Sequence, residues 1–413
     1  MSKRRVVITG MGLVSPVGHS VEETWQALLA GKNGVDRITL FDTTEFTTKI
    51  AGEVKNFDPL KYFDRKEARR LDRFTQFAVA AAEEAMQDSG LELDKEDRDR
   101  IGVIVGSGIG GMLTFEDEHA KLVTKGPTRM SPFFIPMMII DMAAGYISIK
   151  YNLKGPNFAT VSACATAGHS IGTAMRTIQY GDADIVVCGG AEAAIVPSGI
   201  AGFNAMKAIS TRNDEPHKAS RPFDAKRDGF VLGEGGGIVI LEELEHAKAR
   251  GAKIYAEMAG VGFTADAHHI TQPAPAGEGA ARAMKQALND AGLQPTDIQY
   301  INAHGTSTYF NDKNETQAIK TVFGDYAYEL NISSTKSMTG HLLGASGALE
   351  LIVSVKTIND NKIHPTANYE FPDPECDLNY TPNKAIEKEV HAAISNSFGF
   401  GGHNVTLCVK EFE

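Results

Sequence analysis

Four residues could do chemistry. Cys164 lies in "VSACATAGHSIG", His304 in "NAHGTST", and Lys336 and His341 in "SSTKSMTGHLLGASG". A cysteine at a helix start can have its thiolate favoured by the positive end of the helix, whereas an isolated one is more often a small buried hydrophobe. Cysteine–histidine pairs perform acyl transfer through a thioester. One base is enough to activate a thiol, so a second imidazole has another use. Two neutral imidazoles can donate hydrogen bonds to a thioester carbonyl while an enolate forms there, which is what decarboxylation of a malonyl thioester requires. Lys336 would then be a charged support for His341 or its neighbours. A satisfied ion pair explains it equally well.

Two glycine-rich stretches bear on this chemistry. In "NSFGFGGHN", Gly399, Gly401 and Gly402 would let backbone amides approach a reacting carbonyl, and a phenylalanine between glycines could swing as a gate. "GSGIGG" has the GxGxxG order after an apolar run, but no acidic residue follows about 20 positions on, as a dinucleotide site requires. A turn, or room for a ligand or another chain, is the better reading.

The elements that must position these residues alternate. "RRVVITG", "RFTQFAVAAAEEAMQDSG" and "RIGVIVGSG" read as strand, helix, strand, and "KIYAEMAGVGF", "GEGAARAMKQALNDAG" and "DIQYINAHG" repeat that order. Helices with apolar positions Ile171, Ala174, Met175 and Ile178, and Ala345, Ala348, Leu349, Ile352 and Val355, follow two similar junctions. The pattern predicts an α/β fold of largely parallel strands in two similar halves, residues 1–250 and 251–413. His341 falls at the first turn of the second of these helices. Cys164, His304 and His341 are expected at strand-end junctions that converge on one pocket, at the carboxyl ends of the strands.

Composition limits the partners. The chain has 413 residues, 42% of them hydrophobic, and a formal charge of −11, which speaks against nucleic acid. Four scattered cysteines, without CxxC or zinc spacing, argue against a disulfide framework and for a reducing compartment, and no metal site is expected. The N-terminal apolar run is too short for a signal peptide, and the most apolar segment is broken by Pro136 and Asp141, so a cytoplasmic location without membrane insertion is expected.

Taken in order and spacing, "VSACATAGHSIG", "NAHGTST", "SSTKSMTGHLLGASG" and "NSFGFGGHN" resemble the β-ketoacyl-[acyl-carrier-protein] synthases over essentially the whole chain. Within them the chain is most similar to the elongating synthase II enzymes of bacterial fatty-acid synthesis. The resemblance implies a thiolase-like, five-layered α-β-α-β-α fold and a homodimer. It implies decarboxylative condensation of a Cys164-bound acyl chain with malonyl-acyl-carrier protein, with no cofactor beyond the phosphopantetheine that arrives on the carrier. Synthase I, with another chain-length preference, and thiolase-type condensation of acyl-CoA are the alternatives.

Carried over by motif, Cys164 is the nucleophile, His304 and His341 bind the malonyl thioester, and Lys336 maintains the electrostatics. The amides of Cys164 and Phe400 form the oxyanion hole, with Phe400 as gate. Thr306 and Thr308 hold the pantetheine arm, and Thr271 and Phe398 also contact substrate. Ile109 lines the acyl pocket, which Phe134 would reach from a partner subunit. Lys66, Arg69, Arg129 and Lys207 are the expected patch for an acidic carrier protein, acting within a Debye length of roughly 10 Å. One departure stands out. After "HGTST" the family usually has proline and a small residue, and here Tyr309 and Phe310 follow.

Overall fold

A computed structural model describes residues 3–412. Ten strands form one hydrogen-bonded sheet: β1 (Val6–Val14), β2 (Ile101–Gly106), β3 (Asn157–Phe158), β4 (Ile185–Glu192), β5 (Gly235–Glu243), β6 (Ala256–Ala265), β7 (Tyr300–Asn302), β8 (Asn331–Ser333), β9 (Ala392–Gly399) and β10 (His403–Lys410). Their order is β8-β7-β9-β10-β6-β1-β5-β4-β2-β3. Read outward from the β1–β6 junction, both sets of five follow one rule. The first strand of each set pairs antiparallel with its last, the last antiparallel with the one before it, and the remaining ladders are parallel. Only two residue pairs, Val7 with Glu257 and Ile8 with Ala256, join the sets.

The expectation of largely parallel strands is therefore corrected. Four of the nine ladders are parallel. The closing strands reverse direction, as in the hairpin that pairs Gly399 with His403.

Helices complete the layers: α1 (Arg73–Ser89), α2 (Met142–Tyr151), α3 (Thr166–Tyr180), α4 (Glu278–Ala291), α5 (Tyr309–Phe323) and α6 (Ser346–Asp360). Helix α1 starts where the Asp72 side chain accepts the Phe74 amide, and α3 ends on Gly181 in the left-handed conformation. Helices α1 and α2 cover one face of the first half-sheet, and α4 covers the equivalent face of the second, against which α5 packs. Between the half-sheets lie α3 and α6, which touch each other and strands of both. The result is five layers, α-β-α-β-α, from two similar halves.

The core follows those layers. Ile171, Met175 and Ile178 of α3 and Leu349, Ile352 and Val355 of α6 share one cluster with Val239, Leu241, Val405 and Leu407. Phe74 and Phe77 of α1 pack on Ile238 and Ile240, and Met284 and Ala287 of α4 on Ile394 and Cys408. Successive strand residues thus face different cores, which explains the unbroken apolar runs. The same middle position corrects the amphipathic reading of α6, whose residues 346–355 are all buried. Close approach is enabled twice in the same way. A Cβ on Gly12 would lie 1.9 Å from the Ala81 carbonyl of α1, and one on Gly262 would lie 1.9 Å from the Ala283 carbonyl of α4.

Among the described residues, no helix is long and apolar enough to cross a membrane, and no group of three or more His, Cys, Asp or Glu side chains is arranged to hold a metal.

Candidate active site

A cavity of about 570 Å³ opens at the carboxyl ends of the strands. Cys164, His304, His341, Phe398, Phe400, Thr306, Thr308, Thr271, Ile109 and Lys207 all line it. The three chemical junctions expected to converge do so.

Cys164 sits in a 3-10 turn, Ala163–Ala165, whose first residue has φ +50° and which leads directly into α3. The thiol is 8% exposed and packs in one cluster with Ile195, Ile200, Phe230 and Leu343, with Ile109 and Phe203 at its edge. Here the structure corrects an expectation. Burial pushes the thiol up to about 12, against the pull of Lys336 and of the backbone N–H groups of Phe400 and Cys164 itself. The helix start does not by itself make a thiolate. Both N–H groups nevertheless act on the sulfur, and two backbone donors beside one reacting centre are what an oxyanion hole uses. Gly399 makes it possible, since a Cβ there would lie 2.6 Å from the Ser162 carbonyl and 3.2 Å from the Cys164 nitrogen.

His304 follows the end of β7, and its backbone N–H and that of Gly305 donate to the buried Glu315 carboxylate at 2.8 Å each. His341 is not in the first turn of α6. The backbone breaks at Gly340 (φ +70°) and Leu343 (φ +46°), so α6 starts only at Ser346. His341 is held instead as a one-residue bridge to Leu232, donating its N–H to the Val231 carbonyl at 2.7 Å and accepting from Gly233 at 2.9 Å.

The imidazoles are edge-to-face with centroids 5.3 Å apart, and Phe398 and Phe230 flank them. Burial, reinforced by Lys336, holds both well below the usual histidine range, so both are neutral at neutral pH. The Leu343 amide donates to His341 Nδ1 at 3.3 Å, leaving the proton on Nε2. Nδ1 of His304 is buried without a hydrogen-bond partner. Two neutral imidazoles result.

Lys336 does not line the cavity. It opens a short helix, Lys336–Thr339, and pairs with Glu350 of α6, both side chains being 1% exposed. The ion-pair reading therefore holds, and the same cation biases Cys164 and both histidines electrostatically.

The motif reading missed three buried carboxylates. Glu350 pairs with Lys336, Glu315 cradles the His304 loop, and Glu192 at the end of β4 accepts from Ser107 Oγ and the amides of Gly108, Ile109 and Gly344. Each is raised by burial, Glu315 and Glu350 to about 7. The lone acid in "SGALELIVSV" was a signal for Glu350.

Phe134 does not line the cavity of this chain; it lies in the short helix Phe134–Met138, near Phe115. Of the basic candidates only Lys207 lines the mouth. Lys66 lies on the exposed helix Arg65–Ala68, Arg69 caps it, and Arg129 lies in the turn Pro127–Arg129. Arg70 stacks on Phe133 at 4.2 Å, bringing these two segments side by side.

Comparison with known proteins agrees with this geometry. The β-ketoacyl synthase N-terminal domain family matches residues 3–247, and the β-ketoacyl synthase C-terminal domain family residues 255–370. The chain is 56% identical over 410 residues to the 3-oxoacyl-[acyl-carrier-protein] synthase 2 of Staphylococcus aureus (strain COL), covering 99% of each, and equally so to that of Coxiella burnetii. Among solved structures it superposes on a type II PKS ketosynthase in complex with its acyl-carrier protein (37% identity, TM-score 0.92, 100% of each chain). It also superposes on a β-ketoacyl synthase from Burkholderia phymatum STM815 (39%, TM-score 0.91, 99% of this chain and 100% of that one). With these matches across both halves, the chain belongs to the β-ketoacyl synthase family.

Proposed function

We propose that this protein is an acyltransferase that elongates fatty acyl chains by decarboxylative condensation, as an elongating synthase II. The observation that carries the reading is that one cavity holds a thiol, acted on by two backbone N–H groups, together with two neutral imidazoles.

In the first half-reaction, Cys164 Sγ attacks the acyl thioester delivered by acyl-carrier protein. The amides of Cys164 and Phe400 stabilise the oxyanion, and the pantetheine thiol leaves with the proton that Cys164 gives up. Because burial keeps that proton on sulfur, deprotonation is coupled to attack. In the second, His304 and His341 donate to the malonyl thioester carbonyl. Carbon dioxide departs, and the electron pair of the broken bond becomes the enolate. Its carbon attacks the Cys164 thioester, and the thiolate leaves and takes up a proton. The product is a β-ketoacyl chain two carbons longer. Lys336, held by Glu350, reinforces the burial that keeps both imidazoles neutral, and Phe400 on its glycine hairpin gates the two steps.

Ile109, Phe203 and Phe230 beside the thiol suit an alkyl chain, with Thr271 and Phe398 completing the substrate contacts. No cofactor of the protein's own enters these steps. Lys66, Arg69, Arg129 and Lys207 receive the acidic carrier protein. A thiolase reading would need a second cysteine at the site, and Cys188, Cys376 and Cys408 do not line the cavity.

We also propose a cytoplasmic homodimer, each chain built of halves 1–250 and 251–413. Strand β3 is an open sheet edge carrying the exposed Phe158, and Leu113, Phe115, Ile135 and Val161 are exposed apolar residues of the same half. Phe134, which the resemblance assigns to the partner's acyl pocket, lies near Phe115 of that set. Light scattering of the purified protein should return twice the chain mass, and a monomer would overturn it.

Function is tested by intact-mass spectrometry after incubation with acyl-carrier protein bearing a twelve- to sixteen-carbon chain, followed by malonyl-carrier protein. An adduct on wild type and none on Cys164→Ala, discharged as a chain two carbons longer, is the expected result. An adduct of equal yield on Cys164→Ala would overturn it.

A further inference from the structure

Tyr309 and Phe310, which stand where the family usually has proline and a small residue, both line the mouth of the cavity. They are 50% and 54% exposed, unusual for adjacent aromatic residues, and their rings meet edge-to-face with centroids 5.4 Å apart. The first ring is fixed in place. The Tyr309 hydroxyl donates to Glu375 at 2.8 Å, Glu375 pairs with Lys313, and the Arg227 guanidinium carbon lies 5.4 Å from the Tyr309 ring centroid. Arg227 is itself buried, bonded to Asp373 at 2.6 Å and to the carbonyls of Thr308 and Tyr309. The charges that touch Tyr309 are thus spent on one another, and what these two positions of the rim offer a ligand is apolar ring surface.

Resting on the carrier-thioester reading of this cavity, we propose that Tyr309 and Phe310 form a specificity-determining clasp for the branched apolar segment of the phosphopantetheine arm. The arm's chemistry has an order. From the thioester outward come two amides separated by short methylene links, then a quaternary carbon bearing two methyl groups, then the phosphate. The wall of the cavity has the matching order. His304 faces the reacting end, the hydroxyls of Thr306 and Thr308, 2.9 Å apart, come next, and the two rings follow at the mouth. Hydroxyls suit the amides, and aromatic faces suit the dimethyl carbon. A proline and a small residue at these positions would leave that carbon in water.

The test compares three acyl donors with one acyl chain: the N-acetylcysteamine thioester, which lacks the branched segment, the pantetheine thioester, which has it, and acyl-carrier protein. For the double variant Tyr309→Ala/Phe310→Ala, KM for acyl-pantetheine should rise about tenfold, the worth of withdrawing two methyl groups from water. Its kcat should hold, and kcat/KM for the N-acetylcysteamine thioester should change less than twofold. Tyr309→Phe, which keeps both rings and loses only the bond to Glu375, should bring KM for acyl-pantetheine back to within about threefold of wild type. Equal losses on both small thioesters would overturn the clasp, since the rings would then only support the threonines. A loss confined to acyl-carrier protein would also overturn it, by placing the rings against the carrier's own surface. If wild type accepted an acyl group from none of the three donors, the carrier-thioester reading itself would fall.

Discussion

In the first half of the chain, Ala163 at φ +50° leads through Cys164 into the fifteen-residue helix α3. In the second, Leu343 at φ +46° leads through Gly344 into α6, also of fifteen residues. The backbone device is the same, and what is packed against it differs. Before Cys164 lies the cavity. Against Gly344 lies the loop after β2, so that a Cβ there would be 2.3 Å from the Gly108 nitrogen and 2.8 Å from Glu192 Oε2. One copy of the turn presents a thiol to the cavity. The other has become a pivot that ties the two halves together through Glu192, which accepts the Gly344 amide at 3.0 Å.

The largest effects should separate the two turns. Cys164→Ala should lower condensation about 10⁴-fold or more while leaving the melting temperature nearly unchanged. Gly344→Cys in that background should restore no acyl adduct in the mass spectrum and should cost about 1–3 kcal/mol of stability by denaturant titration. An adduct on the second turn would break the comparison.

Next come the histidines, which both belong to the second half. His304→Ala and His341→Ala should still take up an acyl group on Cys164, while release of labelled carbon dioxide from malonyl-carrier protein falls about 10²- to 10³-fold. Loss of the acyl adduct instead would mean that they serve the thiol.

The buried pair beneath them should show in stability. Lys336→Met alone should cost about 3–5 kcal/mol by leaving Glu350 uncompensated. Lys336→Met with Glu350→Leu should cost less than the sum of the single changes, as a double-mutant cycle would show.

The smallest effect sharpens the comparison through pH. Glu192 and Glu315 are buried carboxylates that gather backbone amides, one in each half. Burial raises Glu315 to about 7, so it is protonated more readily in the folded than in the unfolded protein. Its contribution to stability is therefore complete below about pH 4.5 and is lost as pH rises toward 7. Glu315→Gln should flatten stability against pH in that window, measured by denaturation at successive pH values. An unchanged slope would assign the titration elsewhere.

Much of the site was legible because its residues stand at local signals. Cys164 precedes a periodic apolar run ended by Gly181, and His304 follows an apolar strand before "GTST". The start of α6 was misread because one run of apolar residues spans both the turn and the helix, and only the positive φ of Leu343 separates them. Strand direction was misread for a similar reason. A strand buried on both faces has the same composition whether its neighbour runs parallel or not.

The sequence by itself determined the candidate reacting groups, the repeated order of elements and the family, because these depend on residue types and on spacings within a few turns of chain. Tertiary structure alone decided the protonation of the thiol, the partner of Lys336, the role of Gly344 and the position of Tyr309 and Phe310 at the cavity mouth. Those depend on burial and on contacts such as Glu192 with Gly344, 152 residues apart, which no local pattern encodes.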